Sequence, residues 1–391
     1  MQIVHGQPDG PVSLTKLCCH DVTGPSRRLN LRPLKVMKMS RSDPAFLSGA
    51  GEIPQDWDSL AAHLADQGMT LDTDVAPRQF SSGFGNLNYL ISIDNHLRVL
   101  RRPPMGPVQP GSNDMGRESR ILMRLWKAFP LAPRCYHFCD DPAILGAPCF
   151  IMEYRPGLVI GGTMPENSPA DAGYGLGRML TEQLATFHAI DPVKVELDTL
   201  GNPDGYLART LKGWKKRGAA AWSGDIPSAL TTLADWLDAR LITDGQATLI
   251  HNDFKLDNVI LDPETLAPLA VIDWDMGTRG DPRWDLAVML GYWAEAGDPD
   301  AMLELNQMPT AGHGFPSREE IAKYYTELSG IDMTGFHFIR VLAIFRAAVI
   351  FRQLYIRYMG GDTDDPRFAQ FGKSASGLLD FAIDIANEKY F

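Results

Sequence analysis

From Asp58 onward the chain switches between two hydrophobic periods. Apolar residues at helical spacing run through "DSLAAHLADQGM" (Leu60, Ala61, Leu64) and "DMGRESRILMRLWKAF" (Ile121, Leu122, Leu125, Trp126), which predicts two helices. Between them, "NYLISI" alternates and "HLRVL" is apolar, so the pair predicts two strands joined by a turn at Asp94-Asn95. "PCFIMEY" predicts a short buried strand that "RPG" breaks. Beyond residue 157 helical spacing dominates, in "GRMLTEQLATFHAI", "LARTLKGWKKR", "SALTTLADWLDARL" and "GFHFIRVLAIFRAAVIFRQLYIRYMGG". Ser317 and Glu320 form a capping box ahead of "REEIAKYYTEL", and Gly360-Gly361 stops the longest helix. Three short strands interrupt the helices: "ATLI" running into "HNDF", then "NVILD", then "LAVID".

With 391 residues, this pattern predicts an α+β chain of two lobes. A small β-rich lobe covers 55–156 and a larger, mainly helical lobe covers 157–391. Residues 1–45 stand apart. They lack either period, are broken by Pro and Gly, and up to Ser40 hold six Lys or Arg against two Asp. They read as a disordered tail, as a mis-assigned start with the true one at Met37 or Met39, or as a transit peptide.

Composition narrows the function classes. The net charge of -11 lacks the basic footprint of a nucleic-acid binder. No apolar run reaches the roughly 18 residues a bilayer span needs, and the most apolar stretch, "VLAIFRAAVIF", is broken by Arg346. Five Cys, at 18, 19, 135, 139 and 149, make a poor disulfide framework, and the C-x3-C of Cys135 and Cys139 has no second ligand pair nearby. The expectation is a cytoplasmic protein in a reducing compartment, monomeric or homodimeric, with neither membrane nor nucleic acid as partner.

The candidate chemistry sits in "HNDFKLDN", residues 251–258, and in "VIDWD", residues 271–275. Carboxylates among apolar residues are costly to bury unless something positive meets them. A strand–turn–strand from "NVILD" to "LAVID" brings Asn258 and Asp273 to one end of a hairpin, where both oxygens can meet one hard cation. Mg²⁺ prefers one or two carboxylates plus substrate phosphates. Asp253, five residues before Asn258, is placed to accept or orient the proton of a hydroxyl nucleophile. Lys255 can meet a transferred phosphate.

The order H-x-D-x-x-x-x-N, followed by an Asp at a strand end, matches a kinase catalytic loop and its metal-binding Asp. With "GDPRWDLA" after it, the sequence resembles the aminoglycoside phosphotransferase family, small-molecule kinases that share the protein-kinase fold. The resemblance covers roughly residues 55–391. It implies a protein-kinase-like bilobal fold, ATP and Mg²⁺ as cofactors, and a small-molecule hydroxyl acceptor as partner. Asp253 would be the base, Lys255 a γ-phosphate contact and His251 the loop's buttress. Asn258 and Asp273 would hold the metal, and Asp285 would brace the loop.

The first lobe would then hold the nucleotide. "SSGFGN" stands where the phosphate-covering loop belongs, which points to Ser82, Gly83, Phe84, Gly85 and Asn86. A kinase has Lys at the end of the next strand; this chain has Arg101, with Glu118 as its expected partner and Arg102 facing the other side. "IMEYRPG" resembles the hinge, with backbone groups of Glu153, Tyr154 and Arg155 meeting adenine. Asp275 reads as a solvated or helix-capping carboxylate. His188 reads as a satisfied core histidine, and Trp214 and Trp236 as core.

For the acceptor, residues 165–240 show no dense acidic cluster for a polycation. Lys212, Lys215, Lys216 and Arg217 in "LKGWKKRG" suit an anionic substrate or form a solvated face. "VLRRPPMGPVQPGSNDMGRE" and "DPAILGAPCFIMEY" resemble the family branch that in animals is fused to acyl-CoA dehydrogenase domains. That resemblance implies a hydroxyacyl-CoA or related hydroxy acid. The alternatives are an aminoglycoside or choline-type alcohol, a protein kinase, for which an A-P-E segment is lacking, or a nucleotide-binding pseudokinase.

Overall fold

The computed structural model describes residues 45–47, 49–81, 85–106, 113–166, 168–363 and 366–391. In chain order the first lobe contains α1 (Trp57–Asp66), β1 (Arg78–Gln79), β2 (Leu87–Ile93), β3 (His96–Arg102), α2 (Met115–Leu125), β4 (Cys135–Cys139), α3 (Pro142–Leu145) and β5 (Cys149–Glu153). Its strands form one antiparallel sheet in the order β1-β2-β3-β5-β4. The expected turn joins β2 to β3, pairing Ile93 with His96 across Asp94 and Asn95. Both turn residues have positive φ, 51° and 62°. Asp and Asn tolerate that conformation, and it matches the twist of the flanking strands.

Alternation in β2 sends Tyr89, Ile91 and Ile93 to one face, where they pack with Leu60 and Leu64 of α1. The opposite face receives α2. Ile121, Leu122 and Leu125 join Phe150 and Cys135 in a core continuous with the helical lobe. Asp114 caps α2, accepting the Arg117 N–H at 2.9 Å. The α2 helix therefore belongs to both cores and carries Glu118 to the boundary between them. Sequence reading did not foresee β4: its five residues are flanked by loops, and a bulge between Cys135 and His137 breaks its alternation.

The chain leaves the sheet past Gly157. A Cβ there would lie 2.4 Å from Ile260 and 2.6 Å from the Leu261 carbonyl, so only glycine passes. The second lobe contains β6 (Leu158–Val159), α4 (Ala172–His188), α5 (Tyr206–Ala221), α6 (Ser228–Ala239), β7 (Thr248–Ile250), β8 (Val259–Leu261), β9 (Pro268–Val271), β10 (Thr278–Gly280), α7 (Pro282–Gly291), α8 (Asp300–Leu303), α9 (Arg318–Ser329), α10 (Phe336–Met359) and α11 (Phe371–Ala386). Strand β8 pairs with β6 and β9, and β7 pairs with β10, all antiparallel.

The 24-residue α10 is buried over most of its circumference and packs on α11, α7 and α5. A helix hydrophobic all round belongs at the centre of a large core. The capping box at Ser317 and Glu320 is formed, a motif worth about 1 kcal/mol. Gly361, at φ 77°, follows the end of α10. Among the described residues no helix is long and apolar enough to cross a membrane.

Candidate active site

Strand β7 ends at Ile250, and the polar segment 251–258 follows as a loop closed by a 3-10 turn over Leu256–Asn258. The loop is held from behind by one carboxylate. Asp285, fully buried in the first turn of α7, accepts the N–H of His251 at 2.5 Å and of Asn252 at 2.6 Å. His188 contacts the same carboxylate through Nε2 at 3.2 Å, and its Nδ1 meets the Tyr325 hydroxyl at 2.6 Å. His188 is thus a satisfied core histidine, as read, and one whose partner holds the loop.

Asn252 takes a positive φ of 69°, which costs about 1 kcal/mol or more in a non-glycine residue and needs support. Its amide donates to the Met276 carbonyl at 2.8 Å. Its Oδ1 accepts from the Tyr206 hydroxyl at 2.5 Å and from Trp284 Nε1 at 2.8 Å. His251 is completely buried, with Nε2 3.0 Å from the Ile272 carbonyl and Nδ1 accepting the Asp253 N–H at 3.3 Å. Both ring nitrogens are engaged inside the protein. His251 therefore acts by position, as a buttress, and not as a reacting group.

Asp253 projects from this frame, its side chain 22% exposed. Asn258 Nδ2 donates to its carbonyl at 2.8 Å and to its Oδ2 at 3.1 Å. Two cations flank the carboxylate without hydrogen bonding to it: Lys255 Nζ at 3.7 Å and Arg346 Nη2 at 3.8 Å. Burial works against the charge, but Lys255, Arg346, His251 and the Asn258 bond outweigh it and hold the carboxyl below its usual range. Lys255 also binds Asp257 at 2.8 Å. Burial would neutralise that ammonium; Asp253 and Asp257 instead hold it firmly charged.

Asp273 follows β9 with a positive φ of 67°, and Ile272 N–H donates to the Asn258 carbonyl at 2.9 Å. The hairpin therefore brings the two residues to one end, as the spacing predicts. Across from them, Arg101 Nε donates to Glu118 at 2.8 Å, Nη1 to Asn88 at 3.3 Å, and Nη2 to Asp273. Glu118 also accepts the Trp274 N–H at 3.2 Å. Arg102 faces away, bound to Gln55 and the Leu145 carbonyl.

Asp275 departs from its reading as a capping or solvated acid. It is half-buried, and its carboxyl is pushed up to about 7, first by burial and then by the like charges of Asp273 and Glu118. Glu118 is raised too, first by burial and then, against the pull of Arg101, by the charge of Asp273.

Glu118, Asp273 and Asp275 crowd around Arg101, with Arg117 also acting on Asp275, a carboxylate-rich corner that could hold a divalent cation. The amide nitrogen of Asn258 is spent on Asp253, which leaves its oxygen for a metal. Among the described residues no three His, Cys, Asp or Glu side chains converge as a complete metal cage.

A model of the phosphotransferase enzyme family matches residues 77–321. The chain belongs to that family. It is 31% identical over 318 residues to acyl-CoA dehydrogenase family member 10 of Mus musculus, covering 80% of this chain and 29% of that protein. It is 29% identical over 338 residues to acyl-CoA dehydrogenase family member 11 of Pongo abelii, covering 85% and 42%. The chain thus spans less than half the length of these curated relatives. Among solved structures, a Ralstonia eutropha protein assigned provisionally as an aminoglycoside phosphotransferase superposes with a TM-score of 0.71 at 24% identity, covering 86% of this chain and 99% of that one. The phosphotransferase thus shares the α+β, protein-kinase-like fold of that structure.

The remaining predicted residues distribute unevenly. Ser82, Gly83 and Phe84 lie outside the described residues. Gly85 and Asn86 are tied to Asn113, whose amide donates to the Gly85 carbonyl at 2.8 Å and to Asn86 Oδ1 at 2.9 Å. In the hinge, one of the backbone groups expected to meet adenine is already engaged. The Glu153 N–H donates to the Arg134 carbonyl at 2.8 Å, which removes it from the groups that can meet adenine. The Arg155 side chain is a strut, bound to Glu153 at 2.8 Å and to the carbonyls of Pro130 and Leu269 at 2.6 and 2.7 Å. Tyr154 stacks toward Phe80, ring centres 6.2 Å apart.

A cavity of about 870 Å³ lined by His188, Asp281, Arg283 and Thr334 lies behind the Asp285 brace, away from Asp253 and Asp273. Sequence reading missed Asn252, Tyr206, Tyr292 and Arg346. The first of these sits inside the motif; the others are brought to it only by helix packing.

Proposed function

We propose that the phosphotransferase moves the γ-phosphoryl group of ATP to a hydroxyl of a small anionic acceptor, with a hydroxyacyl-CoA or related hydroxy acid as the best reading. The observation that carries the transfer is the setting of Asp253: an ionised, partly exposed carboxylate between two cations, neither of which hydrogen bonds to it. One oxygen is braced by Asn258 and the other remains to accept a proton. Asp253 orients the acceptor hydroxyl and takes its proton as the oxygen attacks the γ-phosphorus in line and ADP leaves. Lys255 and Arg101 neutralise charge developing on the phosphoryl oxygens. Asn258 and Asp273 would hold magnesium, which would supply positive charge against the ATP phosphates.

We place nucleotide binding in 55–156, through Gly85, Asn86, Arg101, Glu118 and the Tyr154–Arg155 backbone, together with Ser82, Gly83 and Phe84. Residues 157–391 supply the catalytic loop and the acceptor site. The acceptor reading rests on α5. Tyr206 of that helix touches the loop, and Lys212, Lys216 and Arg217 are exposed farther along it. Such a cationic stretch, on the helix that touches the loop, attracts an anion and repels a polycation. The relatedness to acyl-CoA dehydrogenase family members supports the CoA ester as that anion.

The test is ADP release with Mg·ATP against 4-hydroxyacyl-CoAs, their free acids, kanamycin and choline. Turnover confined to the CoA esters and free acids is expected. Turnover on kanamycin or choline instead would overturn the acceptor reading while leaving the kinase chemistry intact.

A further inference from the structure

We infer that Arg346 is a positioning residue for phosphoryl transfer: from the centre of α10 it fixes the peptide that leads into Asp253. The inference rests on the role of Asp253 proposed above. In the sequence, Arg346 only interrupts an apolar run. In the fold it is 3% exposed and faces the back of the catalytic loop.

Its Nη2 donates to the Asn252 carbonyl at 3.1 Å, and the same nitrogen stands 3.8 Å from Asp253 Oδ1. Its Nη1 donates to the Tyr292 hydroxyl at 3.2 Å, and the Trp214 ring centre lies 5.6 Å from the guanidinium. Asp253 is the only carboxylate it pairs with among the described residues.

Three observations make this more than a buried charge satisfied by chance. A guanidinium in a helical core costs several kcal/mol in lost hydration, and an aliphatic side chain would fill the space without that cost. The peptide it holds is the strained one. Asn252 has positive φ, its N–H is fixed by Asp285, and the following Asp253 N–H is fixed by His251. The Asn252 carbonyl is the remaining polar group of that turn, and Arg346 takes it.

The geometry also separates two functions on one side chain. Hydrogen bonds go to the backbone carbonyl and to Tyr292, while the positive charge reaches Asp253 without a hydrogen bond. The carboxylate is steadied and its Oδ1 stays available. Lysine can supply the charge but not both fixed donors.

The test compares Arg346→Met, Arg346→Lys, Tyr292→Phe and Asp253→Asn. Each is checked for folding by thermal melt, for Mg·ATP affinity by calorimetry, and for ADP release with 4-hydroxyhexanoyl-CoA and with water as acceptor. Arg346→Met is expected to keep Mg·ATP affinity within about 2-fold and to lose on the order of 100-fold in kcat, the size of effect a small misplacement of a reacting group produces. Arg346→Lys should recover roughly ten-fold of that loss, and Tyr292→Phe should lower kcat by a few-fold with the KM for ATP unchanged.

A folded Arg346→Met protein with near wild-type kcat would overturn the inference. So would parallel losses of ATP affinity and kcat. If Arg346→Met does not fold, equal kcat in Arg346→Lys, Tyr292→Phe and wild type overturns it. Near wild-type turnover by Asp253→Asn would instead sink the base assignment on which the inference rests, and it is read separately.

Discussion

Two charge clusters face each other across the site, and they are built on opposite principles. On the helical-lobe side, Lys255 and Arg346 balance Asp253 and Asp257, and the carboxylate that matters lies below its usual pKa range. On the sheet-lobe side, Arg101 pairs with Glu118 and Asp273, Asp275 is crowded beside them with Arg101 and Arg117 opposing its charge, and it is still pushed up to about 7. A balanced cluster is complete in itself and keeps a base ionised. A cluster with surplus negative charge becomes stable once a cation joins it. On the proposed reading, the first handles a proton and the second a metal and its phosphates.

The largest effect is expected where the balance is removed. Asp253→Asn leaves Lys255 and Arg346 without their shared partner and removes the proton acceptor. Turnover should fall by about 10³-fold, within the range for loss of a general base, while Mg·ATP binding stays near wild type. ADP release and calorimetry on one preparation check this. Loss of ATP binding in proportion to turnover would assign Asp253 to the nucleotide and dissolve the contrast.

Asp273→Asn attacks the other cluster and should show itself in the metal. The Mg²⁺ concentration for half-maximal rate should rise on the order of ten-fold, with a fall in kcat/KM for ATP of about 100-fold, comparable to losing one electrostatic contact to the transferred group. An unchanged magnesium titration would remove Asp273 from the metal site.

Asp285→Asn should act on neither chemistry directly. It removes the charge that accepts two backbone N–H groups of the loop, bonds worth roughly 1.5–3 kcal/mol each to a charged acceptor. Thermal stability should therefore drop along with kcat. An unchanged melting temperature would mean the loop is held without its brace.

How much of this was legible beforehand follows from where each contact lies along the chain. Residues 251–275 carry the loop and the residues proposed as base and metal ligands within 25 positions, and spacing alone placed Asn258 and Asp273 at one end of a hairpin. The pairing of Arg101 with Glu118 was also readable, since both sit at defined points of a strand and the helix after it. The same reading left β4 unassigned, because five residues with a bulge show too little alternation. It also missed α11, whose "SASGLLDFAIDIA" carries helical spacing that was available. Arg346 could not be read at all. It lies 94 residues from the carbonyl it holds, and nothing local distinguishes an arginine that breaks an apolar helix from one that reaches through it. Nor could the "IMEYRPG" pattern show that the Glu153 N–H is already taken, since its partner, the Arg134 carbonyl, is set by packing.

The smallest expected effect is the most specific to the surplus cluster. In the folded protein Asp275 holds its proton up to a pH of about 7, against an ordinary value of 3.8. A carboxyl raised on folding contributes stability that is fully present below pH 4 and is lost as pH rises through 7. Above that point Asp275 adds a third ionised carboxylate beside Glu118 and Asp273, opposed by Arg101 and Arg117. Asp275→Asn removes the last of the three charges, so in EDTA at pH 8 the variant should melt higher than wild type, by roughly 2 °C, since partial exposure screens the repulsion. At pH 5, where wild-type Asp275 is still protonated when folded, the variant's gain should vanish or reverse. Added Mg²⁺ at pH 8 should narrow the gap from the other side, because the cation relieves in wild type the repulsion that the variant lacks. Equal melting temperatures at both pH values would mean that Asp275 is solvated, and the sheet-lobe cluster would then hold only Glu118 and Asp273 against Arg101.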